Sequence, residues 1–353
     1  MNMSAIVTPR PRQQYLDVLK GIAIFLVVMG HVVAFQIRGL DHSLLFKIIG
    51  TVHMPLFFFV SGWLAYKATG VEVYTPKALW KRFKRLIVPM VAVSTLWVLY
   101  FPKSGLASPL PAGFDGLWCD TWKNGYWFTP VLFVIFLIFG LVQPLLQRCR
   151  SVLATLGCVA IVSAVVYGIY MLIPARLSGI LSAELIAHYL PMVLLGWTAR
   201  RWSDSFKAFW LSSKGVTIAL ILLVPSFYMI TWTWEFPWLT PAYAFILSVV
   251  ARFCIAVVGF ACVMPWTESA PDCKAVKVWS LLGRKSLSIY LLHYFFLFPL
   301  GMLQPYFISL NSALVPMAAF AVVSAAVIIA VVLLVDYILS FSKPLSLIFT
   351  GNE

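Results

Sequence analysis

Residues 15–37 read YLDVLKGIAIFLVVMGHVVAFQI, an apolar run long enough to cross a membrane as one helix. The rest of the chain has a matching composition, because 62% of its 353 residues are hydrophobic and only 11% are charged. A soluble domain averages roughly 45–50% apolar and about 25% charged residues. Such an excess of apolar surface is stable in lipid rather than in water. The sequence therefore predicts an all-α, polytopic transmembrane helical bundle.

Further apolar runs of similar length follow along the whole chain. We predict about ten spans, near residues 15–37, 44–67, 86–101, 126–147, 151–173, 180–199, 215–232, 241–264, 286–306 and 313–341. No stretch between these runs has the composition of a soluble domain. We therefore expect residues 1–353 to form a single membrane domain with no soluble extra domain.

The net charge of +14 carries information about topology. The basic residues lie in short clusters between apolar runs, which is typical of cytoplasmic segments and not of a nucleic-acid-binding surface. With the N-terminus inside, twenty of the 26 lysine and arginine residues fall in cytoplasmic segments. The other six are Arg38, Lys47, Lys103, Lys123, Arg176 and Arg252. We predict cytoplasmic N- and C-termini, membrane lipid as a partner, and no nucleic acid.

The first span carries ionisable residues, which are costly in a helix that faces lipid. Asp17 and Lys20 lie at its cytoplasmic end, where the simplest interpretation is an i,i+3 ion pair. His31 lies about 21 Å further along the helix axis, on the same face as Asp17. We predict a functional role for His31 in the outer half of the membrane; the alternative is a histidine bonded to a neighbouring carbonyl.

His53 lies in the second span, within TVHMPLFFFVSGWLAY, at a depth similar to that of His31. Two imidazoles at one level of adjacent antiparallel helices suggest a proton-handling site or a polar cavity. A metal site is a further alternative, but no third ligand is evident, so we predict no metal. We take His31, Asp17 and His53 as candidate catalytic residues.

A basic segment, KALWKRFKRLIVP, follows the second span, and we predict it to be a cytoplasmic loop. It contains Lys81, Arg82, Lys84 and Arg85. One interpretation is a topology signal that also contacts anionic lipid headgroups. The other is a phosphate clamp for a cytoplasmic donor, because the guanidinium group binds phosphate in a bidentate manner.

Several polar residues occur in the later spans. Glu184 and His188 lie i,i+4 near the outer end of the sixth span, which suggests acceptor binding or orientation of a base. Arg252 lies near the middle of the eighth span and needs a partner, for which Glu184 is a candidate. His293 lies near mid-depth in the ninth span, and Asp336 in the last span has no assigned role.

The outer loops are rich in aromatic residues. One explanation is the aromatic belt at the membrane interface. The other is stacking against sugar rings, with nearby carboxylates accepting sugar hydroxyls. We take Trp127 as a candidate substrate-binding residue together with Glu184, His188 and Arg252. The aromatic set is Trp118, Trp122, Tyr126, Trp127, Trp232, Trp234 and Trp238, and the carboxylates are Asp115, Asp120 and Glu235.

Several segments together resemble the acyltransferase 3 family of membrane acyltransferases. They are YLDVLKGIAIFLVVMGH at 15–31, HMPLFFFVSGWL at 53–64 and KRFKRLIVP at 81–89, with weaker likenesses in YWFTPVLFVIF at 126–136 and LLGRKSLSIYLLHYFF at 281–296. The resemblance extends over nearly the whole chain. HMPLFFFVSG is similar to the branch that includes fucose 4-O-acetylases and polysaccharide O-acetyltransferases.

This resemblance implies acetyl-CoA as a donor at the cytoplasmic face of a bacterial inner membrane. It implies as acceptor a hydroxyl of a lipid-linked or surface glycan, of the O-antigen, capsule or exopolysaccharide type. His31 matches the family's essential first-span histidine. Arg82 and Arg85 match its basic pair approximately, because this chain has KRFKR where the family often has Arg-x-Arg. Many relatives have arginine where this chain has Lys20.

Two mechanisms and three functional classes stay open at this point. His31 is expected to act as a general base, reached by the donor's acyl arm through a channel, or to form a covalent acetyl-histidine. We favour the channel because it needs fewer steps. The rival functions are a proton-coupled transporter or flippase of a lipid-linked sugar and a structural subunit. Transporters commonly contain inverted repeats, which we do not find in this sequence.

Overall fold

The computed structural model describes residues 13–36, 43–66, 76–100, 114–231, 240–298, 300, 302, 305–306 and 314–351. These residues form helices joined by short connections, and no strand occurs among them. The predicted all-α bundle is therefore confirmed. Several residues of the sequence argument lie outside the described ranges, namely Arg38, Lys103, Trp232, Trp234, Glu235 and Trp238.

The helices follow one another along the chain with few long connections. The first half contains α1 (Gln14–His31, continued by a π-helical turn at Val32–Gln36), α2 (Leu44–Ala65), α3 (Pro76–Tyr100), α4 (Phe114–Trp118), a 3₁₀ turn (Lys123–Gly125), α5 (Phe128–Arg148) and α6 (Val152–Leu172). The second half contains α7 (Ala175–Leu181), α8 (Ala183–Arg201), α9 (Ser203–Trp210), α10 (Ser213–Thr231), α11 (Pro241–Ser269), α12 (Lys274–Arg284), α13 (Ser286–Leu292, continued by a 3₁₀ turn at His293–Phe296), α14 (Leu314–Ser340) and α15 (Lys343–Thr350).

The helix lengths agree with a protein that crosses the membrane many times. Within the described residues, seven helices are long and apolar enough to span a bilayer: α1 with its π-helical turn, α2, α3, α5, α6, α11 and α14. Two further pairs, α7 with α8 and α9 with α10, are bent by 52° and 75° and raise the number to nine if each pair is one span. The predicted span at 286–306 corresponds to a shorter apolar helix, Ser286–Phe296.

The basic segment after the second span is helical, and its prediction as a loop was wrong. Helix α3 begins at Pro76, well before the predicted start at residue 86. Proline is favoured in the first turn of a helix, and lysine and arginine are good helix formers, so a helix can extend beyond the apolar run. Arg82 and Arg85 consequently lie one turn apart on a rigid element.

Two glycines allow α2 and α8 to pack with their backbones in direct contact. A Cβ atom added at Gly62 would overlap the Val193 carbonyl, and one added at Gly196 would overlap the Phe59 carbonyl. Small residues allow helices in lipid to approach closely, so that dispersion contacts replace the missing hydrophobic driving force. Gly62 and Gly196 therefore serve the packing of α2 against α8.

A second close contact joins α1 to α12. A Cβ atom at Gly21 would overlap the Trp279 carbonyl, and one at Gly283 would overlap the Asp17 carbonyl. This contact holds the helix that ends at His31 against the segment that leads into His293.

Two ion pairs lie near the basic end of the bundle. Lys20 Nζ lies 2.9 Å from Asp17 Oδ1, which confirms the i,i+3 pair expected from the sequence. Lys285 Nζ lies 2.6 Å from Asp336 Oδ2, and this contact accounts for the buried carboxylate of α14. Both acidic side chains are thus neutralised by a lysine, as a buried carboxylate requires.

The turn before α5 has an unusual backbone. Lys123, Asn124 and Gly125 all have positive φ angles, of 47°, 51° and 89°. The Lys123 ammonium donates to the carbonyls of Gly179 (3.3 Å) and Ile180 (2.9 Å), near the end of α7. Burial lowers the pKa of Lys123, and the surrounding carbonyls replace the water that its charged form has lost. The turn is therefore fixed to α7 and presents the two aromatic residues that follow it.

The contact between α2 and α8 can be tested with a matched pair of glycine variants. We expect Gly62→Ala to destabilise the protein by about 1–3 kcal/mol, because the added methyl group overpacks a backbone contact. A Cβ atom at Gly157, in α6, meets nothing within 4 Å, so Gly157→Ala serves as the control. Thermal unfolding in detergent measures both. Equal melting temperatures for the two variants would contradict this packing.

Candidate functional site

Two histidines and a tyrosine from distant parts of the chain meet at the end of α1. His31 Nδ1 lies 2.7 Å from His293 Nε2, and the two rings are parallel within 4°. The Tyr294 hydroxyl lies 3.2 Å from His31 Nε2. Both ring nitrogens of His31 therefore have a hydrogen-bonding partner, while the ring itself is only half-buried. We call these three residues the histidine site.

A change of helix type brings His293 and Tyr294 to the same ring. Consecutive residues of a helix do not face the same side. Here α13 ends at Leu292 and a 3₁₀ turn begins at His293, and the two side chains reach the two different nitrogens of the His31 ring. His293 is fully buried, and its Nδ1 lies 2.9 Å from the Ile289 carbonyl.

Tyrosine hydroxyls connect the turn before α5 to this segment. Tyr126 Oη donates to the Leu291 carbonyl at 3.3 Å, and Tyr290 Oη donates to the Gly125 carbonyl at 3.0 Å. Gly125 is required here, because a Cβ atom would overlap the Tyr294 hydroxyl and its φ of 89° disfavours other residues. The positive-φ turn is therefore part of what positions Tyr294.

The other two candidate catalytic residues have hydrogen-bonding or ionic partners other than His31. His53 Nδ1 donates to the Ile49 carbonyl of its own helix at 2.6 Å. Asp17 pairs with Lys20 at the basic end of α1. A catalytic role for His53 or Asp17 thus stays a prediction, and the hydrogen-bonding partners of His31 are His293 and Tyr294.

A cavity of about 310 Å³ extends from the basic end of the bundle to one helical turn short of His31, and His31, His293 and Tyr294 do not line it. At the basic end its lining includes Lys20, Arg82, Arg85 and Arg284; at the other end it includes Val27, Met54, Phe57 and Tyr290. Val27 precedes His31 by one helical turn, so the cavity approaches the histidine site closely. We call this space the basic cavity.

Only two of the four basic residues in the predicted phosphate clamp line the basic cavity. Arg82 and Arg85 line the basic cavity, whereas Lys81 and Lys84 are absent from its lining within the described part of the chain. The Arg82 guanidinium also lies 4.2 Å from the centre of the Phe136 ring, a cation–π contact that orients it. Lys20 and Arg284 join the arginines from α1 and α12.

A separate cluster of aromatic and polar residues surrounds Tyr189 on α8. Trp127 stacks on the Tyr189 ring with centroids 5.4 Å apart, and Phe58 stacks on it at 4.5 Å. The Arg252 guanidinium lies 4.8 Å from the centre of the same ring and donates to the His188 carbonyl at 2.9 Å. We call this group, with Glu184, the α8 cluster.

Glu184 and His188 complete the α8 cluster on the side of α6 and α11. His188 Nδ1 donates to the Glu184 carbonyl at 2.8 Å, one turn away. The His188 ring lies edge-on to Tyr167 and Phe245, at centroid distances of 6.0 and 5.6 Å. All four predicted substrate-binding residues therefore belong to one cluster, although their binding role stays a prediction.

The structure gives Arg252 partners other than Glu184, the candidate named from the sequence. In the described residues, Arg252 is satisfied by the His188 carbonyl and the face of Tyr189. A carbonyl and an aromatic ring can replace a carboxylate as partners of a guanidinium, and they add no second charge to the apolar interior.

Burial separates the aromatic residues that the sequence had grouped together. Trp118 and Trp122 are 46% and 50% exposed, as expected for an interfacial belt. Tyr126 and Trp127 are 0% and 7% exposed, so they belong to the interior.

Sequence reasoning noted His293 but did not select it, and it missed Tyr290 and Tyr294 altogether. His293 is 262 positions away from its partner His31, so no local pattern could reveal the contact. One signal was available: histidine is rare in apolar segments, and this chain has few such histidines.

Metal binding has no support in the described residues. They contain no group of three or more histidine, cysteine, aspartate or glutamate residues that could hold an ion. The expectation that the protein uses no metal stays a prediction.

Comparison with curated proteins gives two partial matches, both to a protein called Nodulation protein NolL. The protein from Mesorhizobium japonicum is 35% identical over 134 residues, which is 36% of this chain and 35% of the relative. The one from Sinorhizobium fredii is 40% identical over 79 residues, or 21% of each chain. The chain thus matches about a third or less of the length of these relatives. No solved structure matches the chain.

Comparison with protein families gives a far longer match. The family described as an acyltransferase domain matches residues 13–335. The match favours an acyltransferase over a transporter or a structural subunit. It includes α1 with His31, the basic helix α3, the α8 cluster and the segment that carries His293, and the chain therefore belongs to this acyltransferase domain family.

Proposed function

We propose that this chain transfers an acetyl group from cytoplasmic acetyl-CoA to a hydroxyl of a lipid-linked or cell-surface carbohydrate in a bacterial inner membrane. Its family membership already makes it a membrane acyltransferase. The observation that carries the finer proposal is the basic cavity, which joins four cationic side chains to the surroundings of His31.

The residues of the basic cavity suit a donor of this kind. Lys20, Arg82, Arg85 and Arg284 offer positive charge from three helices, and arginine binds phosphate groups in a bidentate manner. Apolar side chains also line the cavity, which suits an uncharged acyl-bearing arm; they include Ile24, Leu86, Leu132 and Phe136. Acetyl-CoA, when bound, supplies an acyl group that is already activated as a thioester.

His31 is the residue best placed to handle the proton of the acceptor hydroxyl. Its ring is half-buried, and it lies one turn beyond the cavity residue Val27. In the proposed reaction His31 removes this proton as the hydroxyl oxygen bonds to the acyl carbon, and it returns a proton to the departing thiolate. A cavity that approaches His31 favours direct transfer over a covalent acetyl-histidine, which needs two transfers instead of one.

The acceptor is proposed to bind at the α8 cluster. The cluster combines the aromatic rings of Trp127 and Tyr189, which stack on each other, with the charged side chains of Arg252 and Glu184. Sugar rings combine an apolar face with a polar edge, and aromatic residues with a polar neighbour suit both.

The function can be tested on the surface glycan of cells that carry or lack the gene. Mass spectrometry is expected to find an increment of one acetyl group only in cells with the intact gene, and fragmentation would locate the modified sugar. Unchanged glycan mass together with a changed amount or location of glycan would contradict the proposal and favour transport.

A His31→Gln variant tests the general base. We expect acetylation to fall about 10²–10⁴-fold, the usual contribution of a positioned base, while the protein still folds. The measurement is transfer of labelled acetyl groups to membranes of producing cells, at expression matched by immunoblot. Near-normal transfer by a folded His31→Gln protein would remove His31 from the mechanism.

The four basic residues of the predicted phosphate clamp give a second test, because only Arg82 and Arg85 line the basic cavity. We expect Arg82→Ala and Arg85→Ala to raise the KM for acetyl-CoA with little change in kcat, because they remove binding that is equal in ground and transition states. Lys81→Ala and Lys84→Ala, on the same helix but outside the cavity lining, are the matched controls. The clamp is disproved if the lysine variants raise KM as much as the arginine variants do.

A further inference from the structure

The protons of the histidine site can be assigned from a single backbone carbonyl. The Ile289 carbonyl can only accept a hydrogen bond, so His293 Nδ1, at 2.9 Å, must carry a proton. In neutral His293 the other nitrogen, Nε2, is then an acceptor. His31 Nδ1 lies 2.7 Å from that nitrogen and must donate to it.

The same assignment determines the chemistry of the second ring nitrogen of His31, Nε2. With its proton on Nδ1, a neutral His31 has an unprotonated Nε2. The Tyr294 hydroxyl, 3.2 Å away, has one proton and donates it to this nitrogen. The three hydrogen bonds therefore run in one direction and agree with one another without any charged ring.

We propose that His293 is a positioning residue that holds His31 in the Nδ1-protonated tautomer and so makes Nε2 the proton-accepting atom. The proposal rests on the proposed function of the site and adds which atom acts and which residue selects it. An orienting partner of this kind performs the task of the aspartate in a Ser-His-Asp triad, here with a neutral imidazole.

His293 also helps His31 to hold the proton that it receives. Nε2 has a single lone pair, so the Tyr294 hydroxyl must turn its own proton away when Nε2 takes the acceptor's proton. His31 then becomes an imidazolium with both nitrogens protonated. The Nδ1–H then donates to the lone pair of His293 Nε2, and a hydrogen bond from a charged donor is about twice as strong as a neutral one. His293 is fully buried, so no water competes for this bond.

The fold supplies reasons for this geometry to persist. The contact between Gly21 and Gly283 fixes α1 beside α12, which leads directly into the His293 segment. On the opposite side, Tyr290 holds that segment to the Gly125 carbonyl.

The tautomer can be measured without any activity. We would label the full chain with nitrogen-15 histidine, place it in lipid nanodiscs and record the imidazole nitrogen shifts. The chain has five histidines, and the His31→Gln variant identifies the signal of His31. We expect a neutral ring with protonated Nδ1, changing to protonated Nε2 in His293→Met. A wild-type His31 already protonated at Nε2 would overturn the proposal.

Two variants of nearly equal size test the effect on catalysis. His293→Gln places an amide oxygen where it can accept from His31 Nδ1, whereas His293→Met fills the same space without a strong acceptor. We expect His293→Gln to retain acetyl transfer within about tenfold of wild type and His293→Met to lose on the order of 10²–10⁴-fold in kcat. The KM for acetyl-CoA is expected to stay unchanged in both.

If His293 had a purely structural role, the order of the two variants in activity would be reversed. A buried site tolerates an apolar methionine better than an amide with unsatisfied atoms, so the methionine variant would then be the more active and the more stable. Activity of His293→Met equal to or above that of His293→Gln would therefore overturn the proposal.

The two experiments also separate this inference from the proposed function. If wild-type protein transfers no labelled acetyl group to membranes of producing cells, the proposed function fails, whatever the nitrogen shifts show. If acetyl transfer occurs and the tautomer does not depend on His293, only the present inference fails.

Discussion

A polar group inside a bilayer has no water to bind, so it needs a partner within the protein. This constraint explains most of the specific contacts in the chain. The carboxylate of Asp336 is neutralised by Lys285, and the guanidinium of Arg252 is satisfied by a carbonyl and a ring. The histidine site satisfies both nitrogens of His31 in the same way, with neutral partners. What distinguishes His31 is that its ring, unlike that of His293, is not fully buried.

The second general feature is how the helices approach one another. Lipid chains are as apolar as leucine, so burying leucine between helices in a membrane gains little. Close backbone contacts at glycines are the alternative, and two of them involve helices that carry the site. Gly21 and Gly283 hold α1 against α12, and Gly62 and Gly196 hold α2 against α8. The histidine site and the α8 cluster are thus each supported by a contact that tolerates little movement.

The fold could be predicted from the sequence to a large extent, because lipid selects long apolar runs. The limits of the prediction have physical causes as well. Helix α3 extends into the basic segment because lysine and arginine favour helix in water as well as at an interface. The bends between α7 and α8 and between α9 and α10 depend on tertiary packing, which an apolar run does not encode.

The sequence indicated which side chains of the site are energetically costly to place in a membrane. It did not indicate which of them contact one another. His31 was identifiable because an ionisable group in an apolar helix needs a reason. Its contact with His293 was not, because the partner lies in another helix 262 positions away. His53 was the more obvious partner by depth, yet a helix carbonyl satisfies it locally. Arg252 was likewise satisfied by groups that the sequence does not single out as polar.

The turn at residues 123–128 has a consequence for how such a protein can diversify. Tyr126 packs on Tyr294 of the histidine site, with ring centroids 5.0 Å apart, while the next residue, Trp127, packs on Tyr189 of the α8 cluster. Substitutions in this turn therefore alter the histidine site and the α8 cluster at once. Residues of α6 and α11 that contact the His188 ring, such as Tyr167 and Phe245, have no such connection among the contacts described above. Under the proposed function, new acceptor preferences would arise by substitution at positions such as Tyr167 and Phe245, while the sequence of the turn is retained.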